Sequence, residues 1–262
     1  DPAVEVRGLR VAYGDTVVLH DIDLTVRAGE IMVIMGGSGS GKSTLLNTLL
    51  GLLTPTAGEV RLLGRDITRM AERDLARLRQ RMGVAFQGGA LFSSLPVIEN
   101  VMLPLREHTR LDEETMRIMA RMKMEVVDLG GRDGLMPAEL SGGMVKRAAL
   151  ARAIVMDPKL LFCDEPSAGL DPVVAKQIDR LILDLRAAFD MTVIVVTHEL
   201  DSAFDIADRI CVLDRGCVRI VDTVENVRNA DDQRVQDLLN RRAETAEVDP
   251  DAYLSRLTGD IL

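Results

Sequence analysis

Residues 36–43 read Gly-Gly-Ser-Gly-Ser-Gly-Lys-Ser, which fits the pattern G-x-x-x-x-G-K-[ST] at every position. The chemistry such a segment can do is to hold phosphate. Glycines let successive backbone N–H groups converge on anionic oxygens, and a following helix adds the partial positive charge of its N-terminus. Gly36, Gly37, Ser38, Gly39, Ser40 and Gly41 would form the cradle, with Thr44 just beyond it. Lys42 can reach β- and γ-phosphates, and Ser43 can offer its hydroxyl to Mg²⁺. The bland alternative is a flexible Gly/Ser turn. Apolar Ile31–Met35 precedes the loop, however, and Leu45, Leu46, Leu49 and Leu50 follow it at helical spacing. Strand, loop, helix is the context phosphate binding requires, so nucleotide binding is expected.

Two further segments carry groups suited to the same chemistry. Leu160–Cys163 is a short apolar run that ends in Asp164 and Glu165. A carboxylate at a strand end can support a Mg²⁺ shell, and its neighbour can orient or deprotonate water for attack on a γ-phosphate. Alone, the pair reads equally well as a solvated strand end or a helix cap; beside the 36–43 loop the catalytic reading gains. Ser141, Gly142 and Gly143 open another helical segment, read as Val145–Ile154, and form a second anion site of the same physics. One nucleotide needs one cradle, so the second requires an explanation.

Positioning these groups falls to a mixed set of elements. Residues 4–26 alternate (Val4, Val6, then Ile22, Leu24, Val26), which predicts half-buried antiparallel strands. Ile31–Met35, Leu160–Cys163 and Val193–Val196 are short and continuously apolar, as parallel strands buried on both faces are. Each is followed at once by polar candidates: the Gly-rich loop, Asp164-Glu165, and Thr197-His198. Ligand residues just past the carboxyl ends of parallel strands are the rule in open α/β sheets. Val174, Ile178, Leu181, Ile182 and Leu185 supply a crossover helix. From about 90 to 155 the chain is Met/Leu-rich and helical in period, with breaks expected at Pro96, Pro104, Gly130-Gly131 and Pro137.

Composition narrows the possible partners. The chain has 262 residues, 47% hydrophobic and 28% charged, ordinary values for a folded α/β protein. No apolar run approaches the ~18–20 residues needed to cross a bilayer, no leader peptide is expected, and the start at Asp1 suggests a trimmed N-terminus. A net charge of −9 argues against nucleic acid as the main partner. Cys163, Cys211 and Cys217 lack metal-ligand spacing and read as small core residues. With aromatics at 3%, the 13 methionines are expected to fill irregular space, among them Met116, Met119, Met122 and Met124.

Taken in order, Gln87, Leu140-Ser141-Gly142-Gly143, Asp164-Glu165-Pro166, Ser167-Ala168-Gly169-Leu170-Asp171 and Thr197-His198 resemble, together with the 36–43 loop, the motifs of ATP-binding cassette (ABC) ATPases over nearly the whole chain. The resemblance implies an α/β fold of the P-loop ABC type: a RecA-like parallel-sheet core, an antiparallel β subdomain and an inserted helical subdomain. It implies ATP hydrolysis with Mg²⁺ by a head-to-tail homodimer, in which the phosphate loop of one subunit faces Ser141–Gly143 of the other. That would explain the second cradle. By the same resemblance Tyr13 stacks on adenine, and Lys42, Ser43, Gln87 and Asp164 hold phosphate and metal. Glu165 is then the general base, His198 contacts the γ-phosphate and Asp171 lies at the dimer interface.

A narrower likeness comes from Phe86–Phe92, Glu99-Asn100-Val101, Pro104–Thr109, Leu135-Met136-Pro137 and Met144 after the two glycines. These resemble the ATPases of MCE-domain (Mla-type) lipid transporters. The implied function is ATP hydrolysis driving phospholipid transport at the cytoplasmic face of an inner membrane. The implied partners are a permease, a periplasmic MCE lipid-binding protein and a STAS-type regulator. The alternatives are a small-solute importer, a soluble cassette ATPase acting on DNA or ribosomes, and an ATP-binding regulator without turnover. The expected organisation is an ATPase domain over 1–222 and a helical extension with a tail over 223–262. There Val235, Leu238 and Leu239 form one apolar stripe, expected to pack on the chain's own core. Leu254, Leu257 and Ile261 form another, suited to docking on a second subunit.

Overall fold

The computed structural model describes residues 2–240, which form two sheets and the helices around them. Strands β1 (Pro2–Tyr13) and β2 (Thr16–Arg27) pair antiparallel, with Val4 opposite Val26 and Val6 opposite Leu24. Their alternating apolar residues face one side, as the period of two predicts. After β3 (Ile31–Met35) come α1 (Lys42–Leu49), β4 (Ala57–Leu62) and β5 (Arg65–Asp66). The small sheet has the order β2-β1-β4-β5.

The chain continues through α2 (Glu72–Arg79), β6 (Met82–Ala85), α3 (Val97–His108), α4 (Glu113–Val126) and α5 (Gly142–Ile154). Then follow β7 (Leu160–Asp164), α6 (Pro172–Phe189), β8 (Thr192–Thr197), α7 (Leu200–Ile206), β9 (Arg209–Asp214) and β10 (Cys217–Thr223). Helices α8 (Val224–Arg228) and α9 (Gln233–Leu239) end the described chain. The large sheet runs β10-β9-β3-β8-β7-β6, parallel except for β10. No helix among the described residues is long and apolar enough to cross a membrane.

Both faces of the large sheet are covered, which is why its central strands carry unbroken apolar runs. Ile31, Val33 and Met35 face a core built with α3–α7, whereas Met32 and Ile34 face one built with α1, α2 and the small sheet. All five are fully buried, so truncating Ile31, Met32, Ile34 or Met35 to Ala should cost about 2–5 kcal/mol. The register sets Met35 beside Thr197 and Asp164 beside Val196, so three strands end at one level. The residues just past those ends are therefore neighbours.

Local expectations fail in three places. Pro104 lies inside α3 and does not break it; buried Val101, Met102 and Leu105 hold the helix by packing, which outweighs the lost backbone bond. Met122 is 63% exposed and fills no gap, while Met116 and Met124 on the same helix are buried. Helix α5 starts at Gly142 rather than Val145, because the Ser141 side chain caps it by accepting from the Met144 N–H at 3.3 Å. The stripe on α9 packs onto the chain's own core through buried Val235, with Leu238 and Leu239 partly covered. Leu254, Leu257 and Ile261 lie outside the described residues.

Candidate nucleotide site

The loop at 36–41 is shaped by backbone constraints that only glycine meets. Gly39 and Gly41 have φ of 74° and 103°, in the left-handed region where a side chain is strained. Gly36 lies so close to β9 that a Cβ there would stand 2.2 Å from the Leu213 carbonyl oxygen. Gly37 has open space around it instead. The Lys42 ammonium folds over the loop and donates to the carbonyls of Gly36 (2.7 Å) and Gly37 (2.9 Å). Ser43 is exposed, and a concavity of about 170 Å³ is lined by Val18 and residues 39–44. Ser40 Oγ is buried without a partner among the described residues.

At the ends of β7 and β8 the carboxylates are held in place. Glu165 is 8% exposed, with a left-handed φ of 48°. Its N–H donates to the Val196 carbonyl at 2.8 Å. One carboxylate oxygen accepts from Thr197 Oγ1 at 2.9 Å, and the other lies 2.6 Å from His198 Nδ1. The left-handed turn after Asp164 swings the Glu165 side chain back toward β8. Asp164 is half-buried, and burial pushes its carboxyl above the ordinary value, assisted by repulsion from Glu165 and opposed by Lys146 and Lys42. Burial lowers the Lys42 ammonium from its ordinary value, against the attraction of Glu165 and Asp164. These cations and carboxylates share one field.

The family model described as ABC transporter matches residues 19–168. The chain belongs to the ABC transporter family. A relative in Haemophilus influenzae, the intermembrane phospholipid transport system ATP-binding protein MlaF, is 44% identical over 90% of this chain and 89% of its own. The Mycobacterium leprae "Probable ribonucleotide transport ATP-binding protein mkl" is 40% identical over 92% of this chain and 69% of its own. Among solved structures, a dimeric post-hydrolysis state of the ATP-binding cassette MJ0796, bound to ADP and Pi, is similar with a TM-score of 0.78. It is 32% identical and covers 84% of this chain and 98% of that one. ATP hydrolysis is thus the activity of the family, and the expected ABC ATPase fold is the one observed.

Within this ABC fold the candidates fall into two groups. Lys42, Asp164, Glu165 and His198 come together at the strand ends, and exposed Gln87 joins them through its backbone, since Lys146 Nζ donates to its carbonyl (2.5 Å) and to that of Glu165 (2.7 Å). Ser141, Gly142, Gly143 and Asp171 do not join: no hydrogen bond among the described residues links them to the 36–44 loop. The two glycines approach Leu170 and Val174, on either side of Asp171, instead. A Cβ on Gly142 would stand 3.2 Å from Leu170, and one on Gly143 would stand 2.6 Å from Val174. Asp171 caps α6, accepting from the N–H groups of Val173 and Val174 at 3.1 Å. Tyr13 ends β1 with 52% of its surface exposed.

Sequence reasoning missed Thr197 and Lys146 as residues that hold Glu165. Lys146 had no separate signal, because it stands beside Arg147 on a helix that also carries Arg152, and such cations read as a solvated face. Thr197 was legible only as part of the Thr197-His198 pair after the Val193–Val196 run, and nothing local showed that its hydroxyl would hold Glu165.

The donors expected for Mg²⁺, the Ser43 hydroxyl, the Asp164 carboxylate and the Gln87 side chain, would be hard oxygens. No cluster of three or more His, Cys, Asp or Glu suited to a metal occurs among the described residues. That set fits an ion that takes most of its shell from phosphate and water.

Proposed function

We propose that this chain is the ATP-hydrolysing subunit of a phospholipid transporter of the Mla type, working as a homodimer beneath a membrane permease at the cytoplasmic face of an inner membrane. The observation that carries this reading is the 44% identity to the phospholipid-transport MlaF protein across nine-tenths of both chains. The markers at Phe86–Phe92, Pro104–Thr109 and Met144 support it, since they lie on or beside α3–α5, apart from the phosphate loop. A periplasmic MCE lipid-binding protein and a STAS-type regulator complete the proposed assembly. In domain terms, 1–222 would be the ATPase and 223–262 an extension that the chemistry does not need.

In this reading residues 36–44 cradle the phosphates and Tyr13 stacks on the base. Lys42 leaves the Gly36 and Gly37 carbonyls for the phosphate oxygens, an exchange of neutral for charged acceptors that strengthens the bonds. Ser43, Asp164 and Gln87 would hold Mg²⁺, which supplies charge neutralisation at the β- and γ-oxygens when bound. Glu165 takes the proton of the attacking water, with Thr197 fixing one of its oxygens. His198, 57% exposed on its side chain, turns from Glu165 toward the γ-phosphate. Ser141–Gly143 and Asp171 meet the nucleotide of the second subunit.

The name of the mycobacterial relative favours a second reading, transport of a small solute such as a ribonucleotide. Purifying the chain from membranes with its partners and identifying the bound molecules separates the two. Enrichment of phospholipid with a permease is expected. A complex carrying ribonucleotide cargo and no enriched lipid would overturn the lipid assignment.

A further inference from the structure

Lys146 is a buried cation, 8% exposed, that no ATP motif requires. It stands one turn into α5, the helix that Ser141 caps. Among the described residues its ammonium forms no salt bridge to a carboxylate. It donates instead to two backbone carbonyls from different elements: that of Gln87, after β6, and that of Glu165, after β7. Burial lowers its pKa from the ordinary lysine value, while Glu165, Asp164 and Cys163 pull it the other way. Desolvating an ammonium is costly, and two charge-assisted bonds offset only part of that cost. A lysine kept there for packing alone would be a poor choice.

The rest of α5 grips the same segment. Arg152 donates to the carbonyls of Gly89 (2.8 Å) and Ala90 (2.6 Å), and Gly89 approaches Val145 so closely that a Cβ would stand 2.6 Å from it. Residues 87–90 are therefore fastened to α5 at three carbonyls. Only Lys146 extends the fastening to Glu165. The Glu165 peptide is then held by Val196 at its N–H and by Lys146 at its carbonyl, in a left-handed conformation that costs energy to maintain.

Resting on the site proposed above, we propose that Lys146 is a positioning residue for hydrolysis. It ties the backbone of Glu165 and of Gln87 to the helix bearing Ser141–Gly143, so that the base and the water-orienting side chain keep a fixed spacing. Because α5 begins at the segment assigned to the opposite subunit's nucleotide, any shift of that helix reaches Glu165 and Gln87 through one ammonium.

The test compares full-length Lys146→Met, Lys146→Arg and Glu165→Gln for affinity toward a fluorescent ATP analogue and for single-turnover hydrolysis. Lys146→Met should bind the analogue as the wild type does and hydrolyse ATP about 10–100-fold more slowly, the scale of a small misplacement of a catalytic group. Lys146→Arg, which keeps a charged donor, should recover most of that loss. Should Lys146→Met fail to fold, Lys146→Gln carries the same comparison. Wild-type turnover in Lys146→Met, or affinity and rate falling together without rescue by Arg, would overturn the proposal while an inactive Glu165→Gln leaves the site assignment standing. An active Glu165→Gln would overturn both.

Discussion

Glu165 and Ser141 lie in one chain, each at a junction of loop and regular structure, yet their surroundings differ in kind. Glu165 is gripped through its N–H, its carbonyl and both carboxylate oxygens by β8, α5, Thr197 and His198. Ser141 is exposed and, among the described residues, uses its hydroxyl only to cap its own helix, while Gly142 and Gly143 lean on Leu170 and Val174. A group that must transfer a proton at the right moment benefits from a fixed position, since reaction rates depend steeply on geometry. A group that must receive a ligand presented by another subunit needs instead an open, pre-shaped surface. The difference teaches what the proposed reading requires: a hydrolytic half held within this chain, and an open half suited to a second copy.

Removing the fixed half should have the largest effect. Glu165→Gln is expected to lower ATP hydrolysis by roughly 10²–10⁴-fold, the usual worth of a positioned base, with ATP affinity kept. Near-normal turnover in steady-state assays would take the base role from Glu165. Lys42→Ala should act on binding instead, weakening nucleotide affinity by about 10–100-fold through loss of a charge-assisted contact. Titration with a fluorescent nucleotide measures it, and equal affinities in the two variants would erase the division of labour between loop and strand end.

A smaller effect probes what stands behind the clamp. Ser167, two residues after Glu165, lies 3.3 Å from Ser202 Oγ, which in turn donates to buried Asp179 at 2.5 Å. Burial raises the Asp179 carboxyl above its ordinary value, opposed by the Ser202 bond and the Lys176 charge. A raised folded-state pKa means that the folded chain binds this proton more tightly than the unfolded chain. The contribution favours folding below the unfolded value and is lost as pH rises through the folded one. Asp179→Asn keeps an acceptor for Ser202 without the charge. It should therefore raise Tm by a few degrees at neutral pH, with the gap closing toward about pH 4. A gap that widens on acidification would reverse the sign of the assignment.

Sequence carried the frame of this picture further than its fastenings. The loop at 36–43 and the three apolar runs were legible because glycine spacing and burial on both sheet faces write themselves into composition. Helix α5 was read three residues short, since two glycines at a helix start look like loop until the Ser141 cap is seen. Pro104 was read as a break because its own backbone preference was the visible signal, and the packing of Val101, Met102 and Leu105 that overrides it was not. The grip of Thr197 and Lys146 on Glu165 depends on strand register and on a backbone carbonyl 19 residues away, neither of which leaves a local pattern.

The shared site is tested most directly by mixing two defective proteins, Lys42→Ala and Ser141→Arg, and assaying ATP hydrolysis. Each alone should be inactive, Lys42→Ala for want of a phosphate contact and Ser141→Arg for want of a cradle for the partner's nucleotide. In a mixed dimer one site joins the intact loop of the Ser141→Arg subunit to the intact Ser141 segment of the Lys42→Ala subunit, and the other site collects both lesions. Statistical mixing of a two-fold dimer leaves about a quarter of all sites whole, so activity well above either parent is expected. A mixture no more active than its parents, with no ATP-stabilised mixed dimer, would contradict a site divided between two copies of this chain.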